Sequence, residues 1–490
     1  MTLFKSLLLG SAVGIVAVAG AQAADLPSKK AAPATYVKIC DAYGAGFFFI
    51  PGTDTCLKVA GRVRYDLGYA PKGTYYGNAT TLAKASDNGK VSTVGQDLWG
   101  QHTRGQLMLD ARTSTGYGVV RTYTALRLSQ SYGLMGGKPS PIKLSDADDI
   151  AGFGTGPTFE RAFIQFAGFT AGRSSSIFAN GPSLSFGANS HFPSFANGTM
   201  QLAYTAVLGG GLSVTVGMED PADHKMTNAS SKEWKAPYGQ PYDTLPVLVG
   251  NIGYDQSWGR IQVSGAYARD RSLNIADSIT PNAKDYDFTK SGFAYAAFLT
   301  YNADMVGKGD KFYLLGGFSS GMNLLGYKDS SNATSSNARD IDGIAQSYSN
   351  FTCNFDAVTG NKASDAACQN TKTTWLSGAF VHNWTSTVRQ NVMAGMAWVD
   401  PGSIARATSA ATQKATFSSI GTNVIWSPVK DFDIGVEVLY NKQSVGNDTT
   451  SATNNGNPFG KVGCNAATAV AGCRASGSMV MSRIRIERTF

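Results

Sequence analysis

The sequence predicts an all-β fold: a transmembrane antiparallel β-barrel of about 16 strands, with short turns at one end and long loops at the other. Three observations carry this. The chain opens like an exported protein yet holds no later membrane helix, its strands alternate apolar and polar residues from end to end, and its last strand stops on an aromatic residue.

Lys5 precedes an apolar stretch from Leu7 to Ala19, followed by the small-residue pattern Ala21-Gln22-Ala23. This is the layout of a signal peptide over residues 1-23, which places the mature start at Ala24. The stretch is only about 13 residues long, short of the roughly 20 a membrane-spanning helix needs. Beyond it no run of about 18 apolar residues occurs. Export without a membrane helix leaves a membrane barrel or a secreted β-rich structural or adhesion protein.

Period two decides between them. From Leu57 one face reads Leu57, Val59, Gly61, Val63, Tyr65, Leu67, Tyr69 and the other Lys58, Ala60, Arg62, Arg64, Asp66, Gly68. A strand with an unbroken apolar row opposite charges separates two solvents. The pattern returns in Leu212–Glu219, in Phe432–Asn441 and in Phe293–Tyr301, where rows include or end in the aromatic residues of a membrane girdle. A one-residue slip of the first strand would turn Lys58, Arg62, Arg64 and Asp66 toward lipid. Each basic side chain near the midplane costs about 2 to 4 kcal/mol.

This template gives strands at 56-69, 101-113, 118-128, 158-167, 170-178, 200-208, 211-220, 246-255, 260-270, 291-303, 310-320, 373-384, 387-400, 414-427, 431-442 and 478-490. Tight turns are expected at Ser114-Thr115-Gly116, Gly168-Phe169-Thr170, Gly209-Gly210-Gly211 and Ser257-Trp258-Gly259. Between them run long segments rich in Asn, Ser, Thr, Asp, Gly and Lys. The final strand puts Val480, Ser482, Ile484, Ile486, Arg488 and Phe490 on one face. Met481, Arg483, Arg485, Glu487 and Thr489 share the other. An even strand count lets the first and last strands pair and removes the open edges. The chain therefore divides into the signal peptide, an N-terminal segment over 24-55 and a barrel over 56-490.

The formal net charge is +8, with the basic residues scattered instead of gathered into a tail, which argues against nucleic acid as a partner. The six cysteines fall into three close pairs: Cys40 and Cys56, Cys353 and Cys368, Cys464 and Cys473. Of the 15 connectivities open to six cysteines, this grouping in an exported chain favours sequential disulfides. No C-x-x-C spacing suggests zinc, and no motif calls for a cofactor. Asp340-Ile341-Asp342-Gly343 lacks the rest of a calcium loop.

The segment from Cys40 to Leu57, CDAYGAGFFFIPGTDTCL, with Gly61-Arg62-Val63-Arg64-Tyr65 after it, closely resembles the opening of the alphaproteobacterial porin family. Ala162–Gly172, Ile425–Val429 and Asp433–Tyr440 are similar to further segments of that family. The resemblance implies a sixteen-stranded, homotrimeric general diffusion porin of the bacterial outer membrane. Its tight turns would be periplasmic, its long loops extracellular, and its third loop folded into the channel. It also implies a setting of outer-membrane lipid and lipopolysaccharide, with ions and small hydrophilic solutes as cargo and no catalytic activity.

With the apolar rows facing lipid, the inner wall near the seam collects Lys58, Arg62, Arg64, Arg104, Arg112, Arg121, Arg127, Arg483 and Arg485, with Asp66 and Asp110 among them. Arg173 sits on the strand entering the third loop. Further acids are Asp146, Asp148 and Asp149 on the second loop, and Glu219, Glu437 and Glu487 elsewhere. These make candidate pore-lining residues whose field would orient polar solutes. The third loop, 179-199, carries no acid and only His191 as a titratable group. Phe186, Phe192 and Phe195 either narrow the channel or pack the loop against the wall. Gly317-Phe318-Ser319-Ser320-Gly321 spells a nucleophile elbow, but in a strand that runs into a polar loop instead of a helix.

Overall fold

The computed structural model describes residues 38–69, 99–133, 158–178, 181–186, 198–220, 241–243, 245–274, 286–322, 351–353, 368–403, 414–446 and 474–490. The expected signal peptide, Cys464, Cys473, Asp146, Asp148, Asp149, His191, Phe192, Phe195 and the 340-343 motif lie outside these residues.

Sixteen long antiparallel strands among the described residues close into a barrel. The first eight are β1 (Thr55–Tyr69), β2 (Trp99–Thr115), β3 (Gly118–Gly133), β4 (Thr158–Phe166), β5 (Phe169–Ser175), β6 (Gly198–Gly209), β7 (Leu212–Glu219) and β8 (Val247–Gln256). The second eight are β9 (Gly259–Asn274), β10 (Tyr286–Asn302), β11 (Lys311–Ser320), β12 (Lys372–Asn383), β13 (Val388–Asp400), β14 (Lys414–Val429), β15 (Phe432–Gly446) and β16 (Arg474–Thr489). Each pairs with the next, and β16 pairs with β1 from Arg62↔Thr489 to Tyr69↔Ser482. All sixteen predicted strands are present. Several extend further toward the long loops than the sequence indicates, while β5 stops at Ser175 instead of reaching 178.

The alternation sets the two faces. Val59, Val63, Tyr65 and Tyr69 stand exposed on the outside, while Asp66, on the opposite face, is fully buried. The outer row Phe293 and Tyr295 is likewise exposed, and the inner row Ala294, Ala296 and Phe298 is buried.

The tight turns depend on backbone shape. Gly209, Gly210 and Gly211 all have positive φ, and a Cβ at Gly211 would sit 1.9 Å from the Asp255 carbonyl oxygen. The β4–β5 turn is centred on Ala167 and Gly168, both at positive φ, with Phe169 and Thr170 already in strand. This moves the turn expected at Gly168-Phe169-Thr170 back by one residue, because Phe169 pairs with Phe166 across a two-residue hairpin. At the β11–β12 end, buried Asp310 accepts hydrogen bonds from His382 Nδ1 (2.6 Å) and the Asn383 amide (2.8 Å). Burial pushes its carboxyl up, but those bonds outweigh burial and hold it below the ordinary aspartate range.

The N-terminal segment finishes the seam. β16 ends with Phe490 and Gly61 exchanging two backbone hydrogen bonds of 2.9 and 3.0 Å. Beyond that point the short strand Phe47–Phe49 takes over the free edge of β1, pairing Phe47↔Lys58 and Phe49↔Cys56. The Cys40–Cys56 disulfide ties it down. Phe351–Cys353 and Cys368–Asn370 form a separate small ladder in which Cys353 faces Cys368, and Cys368 is disulfide-bonded.

Two outcomes follow from the seam. The Phe490 ring lies directly over Gly61, where an added Cβ would come within 2.1 Å of it. Gly61→Leu should displace the ring and slow barrel formation, seen as delayed appearance of the heat-modifiable band on gels; unaltered folding kinetics would contradict this. Cys40→Ser should lower stability by about 3 kcal/mol, the entropy of a loop of this length, measured as a lower urea midpoint with a slope no smaller than the wild type's.

Candidate functional site

The lumen has one wall of apolar and mostly uncharged polar residues, among them buried Gln262, Ser264, Asn391 and Asn423, and one wall rich in charge. Inward-facing Val247, Val249, Ala266, Ala294, Phe298, Trp375, Ala397 and Phe417, from β8–β14, form one buried cluster with Ile177 and Phe178 of the third loop. Further along, Leu184 packs against Ala379 and Met393. The described residues of the loop, 176-178 and 181-186, thus lie inside the barrel over β8–β14.

Carboxylates grip it at both ends. Glu219 at the end of β7 accepts hydrogen bonds from Ser176 Oγ (2.9 Å) and the Ile177 amide. Asn251 Nδ2 donates to the Ile177 carbonyl at 2.7 Å. At the far end Glu437 accepts from Ser185 Oγ (3.1 Å) and the Phe186 amide (2.6 Å), and Asn423 Nδ2 donates to the Leu184 carbonyl at 2.8 Å. Both Arg483 and Arg485 donate to the Phe186 carbonyl, and the Arg485 guanidinium lies 4.5 Å from the centre of the Phe186 ring. Phe186 is therefore buried packing against the wall. A loop without acids is held by acids on the barrel, which accept its backbone N–H groups.

The predicted basic residues fall into two groups on β1–β3 and β16. Near the tight turns, Asp110 accepts paired bonds from both Arg112 (3.0 and 2.8 Å) and Arg121 (3.0 and 3.0 Å). Arg112 also lies over the rings of Tyr43 and Phe47, 5.6 and 5.0 Å from their centres, and Lys58 lies 5.9 Å from the Phe47 ring centre. This group is capped by the N-terminal segment.

Farther along the wall, Arg64 pairs with Asp66 at 3.2 Å, and Asp66 also accepts from Arg485 at 2.6 Å. Arg64 stands directly opposite Arg104, and Arg127 opposite Gln106. Arg62 donates to Gln106 Oε1 at 2.6 Å, and Gln106 Nε2 donates to Glu160 at 2.8 Å. Arg104 Nε donates to Ser129 Oγ at 3.1 Å. Like charges opposed on adjacent strands are destabilising. Among the described residues Asp66 and Glu160 offset them, with Glu487 3.9 Å from Arg62.

Glu160 is the residue strict alternation misses. The register shifts between Ala125 and Leu126, where β3 pairs with Arg161 and then Phe159, so Glu160 is the extra residue of a β-bulge. The bulge lets it reach Gln106 instead of lipid. Arg173 is a correction in the other direction. It shares its rung with Ala162 and Met200, and Met200 stands exposed on the outer row of β6. Register therefore assigns Arg173 to the outer face near the loop end, where a long basic side chain can extend to the polar boundary. Ser319, from the elbow-like motif, is buried in β11 between Ala294 and Thr373, with no strand-to-helix turn.

A closed sixteen-stranded barrel with an internally docked loop and a charged wall is the architecture of the porin class. Residues 25–463 match the family model described as "Porin subfamily", and the chain belongs to that family. It is 32% identical to porin Omp2a of Brucella melitensis over 269 residues, 54% of this chain and 66% of that protein. It is 30% identical to porin Omp2b of Brucella suis over 276 residues, 54% of this chain and 66% of that protein. The aligned part thus spans just under two thirds of these relatives. The outer membrane channel DcaP of Acinetobacter baumannii shares the fold at a TM-score of 0.58 and 15% identity, over 90% of this chain and 99% of that one.

Removing the Glu437 carboxylate should loosen the loop. Glu437→Ala leaves the buried Phe186 amide without its acceptor, a cost of about 1 to 3 kcal/mol. The expected result is added open-channel current noise and substates in single-channel records; a quiet channel like the wild type would show that the loop does not rely on this bond.

Proposed function

We propose that this chain is an outer-membrane diffusion porin, passing ions and small hydrophilic solutes along the charged wall of its lumen, and that it does not catalyse a reaction. The observation that carries the reading is the third loop, bound to β7 and β8 at its start, to β14 at Leu184 and to β15 and β16 at Phe186. Its described residues lie over β8–β15, and β1–β4 line the passage beside them. In this reading Arg62, Arg64, Arg104 and Arg127 line the passage with Asp66 and Glu160. Arg483 and Arg485 serve it while anchoring the loop, and Lys58, Asp110, Arg112 and Arg121 shape the periplasmic mouth under the N-terminal segment. The positive excess favours anions. Residues 1-23 would be removed on export.

Strand lengths support the homotrimer implied by the family resemblance. β9 and β10 have 16 and 17 residues, whereas β5 and β7 have 7 and 8. At roughly 3.3 Å per residue and about 45° tilt, a seven-residue strand is about 16 Å tall, less than the apolar band of about 25 Å. A wall that low needs cover, and a second and third copy of the chain supply it. The taller wall faces outer-membrane lipid and lipopolysaccharide.

In planar bilayers the purified protein should give discrete conductance steps, with no ester hydrolysis in the same preparation. A preparation that turned over an ester, and lost this on Ser319→Ala, would replace the porin reading. Reversing Arg62 and Arg64 to Glu should move the reversal potential in a salt gradient toward cation preference, and an unchanged potential would remove both from the passage. Mass measurement in mild detergent should find three chains, whereas a monomer alone would refute the assembly.

A further inference from the structure

At the tight-turn end of β13–β16 the inner face borders an open cavity of about 450 Å³. Its floor is a closed polar triad. Arg389 Nη2 lies 2.5 Å from Asp433 Oδ2 and Nη1 lies 3.0 Å from Ser427 Oγ, while Ser427 Oγ donates to Asp433 Oδ1 at 2.6 Å. These groups satisfy one another and leave the floor electrically neutral. The walls carry Lys430, Asp431 and Glu487. Glu487 approaches Arg62 only at 3.9 Å, a distance that leaves its carboxylate open to a stronger donor. Asp431 is held at the rim by the Thr489 amide, which donates to its carbonyl at 2.9 Å.

We propose that this cavity is a binding subsite for an amino-acid-sized zwitterion at the periplasmic mouth. A carboxylate fits Lys430, and an ammonium fits between Asp431 and Glu487. A simple anion would meet two like charges on the walls, and a simple cation would meet Lys430. A molecule with both ends satisfies all three groups at once. The volume is in the range of small-ligand pockets, roughly 300 to 1,000 Å³, and the lining is polar, so the site discriminates by charge separation instead of by burying apolar surface. The arrangement extends the diffusion reading by naming a solute class, and it rests on that reading only for how the solute arrives.

The test is equilibrium binding to the full chain in detergent, by saturation-transfer NMR, with L-alanine, acetate and ethylamine as probes. L-alanine should saturate and bind about fivefold or more tighter than either single-charge probe, on the order of one partly exposed charge contact. Lys430→Gln and Asp431→Asn should each weaken L-alanine by about the same factor, while conductance in simple salt stays at the wild-type value. Asn also tolerates the positive φ of residue 431, so the second variant removes charge without straining the turn. Non-saturating L-alanine, equal binding of all three probes, or variants that bind as the wild type would each overturn the subsite. Saturable L-alanine binding in a protein that shows no conductance steps would overturn the diffusion reading and leave the subsite standing.

Discussion

A backbone amide placed in hydrocarbon has no water to turn to, and this one constraint organises the whole chain. Every strand must find a partner on both sides, and the ring must close. Closure here rests on β1, which pairs with β2 along one edge and shares the other between β16 and the short strand Phe47–Phe49. The handover falls where Phe490 meets Gly61. A residue without a side chain is needed there because an aromatic ring lies across it. The disulfide at Cys56 then anchors the segment that covers the remaining edge.

Once the ring is closed, each strand residue faces either lipid or lumen, and the chemistry of the channel follows from how the inward half is shared. Small and apolar residues on β8–β14 accept the third loop, while charged residues gather on β1–β4 and β16. Arg64 opposed to Arg104 would be a poor choice for stability alone. Its place beside Asp66, which is itself shared with Arg485, shows positive charge kept at a cost and steadied by just enough acid.

Much of this was legible in the sequence, because a two-solvent wall forces period two on every strand. The rows Leu57–Tyr69 and Val480–Phe490 point as their alternation says. What escaped is what period two cannot encode. Glu160 reads as lipid-facing until a bulge adds a residue to its strand. Arg173 looks like an entrance to the constriction, yet its rung with Met200 belongs to the outer row. The grip of Glu219 and Glu437 on the loop was out of reach, since it joins residues about 40 and 250 positions apart through backbone amides that carry no sequence signature. Arg389, Ser427 and Asp433 were missed for a related reason: each is an ordinary turn-flanking residue until two hairpins bring them together.

The docking of Phe178 among Phe298, Trp375 and Phe417 makes the third loop the centre of the barrel's dry interior rather than a flap hung in its opening. Loop and wall must then melt together, and a change on the buried side of the loop is felt by seven strands at once. Evolution has a freer hand on the opposite wall. There Arg62 or Arg127, which touch no described residue of the loop, can be exchanged for another side chain while the docked loop stays packed.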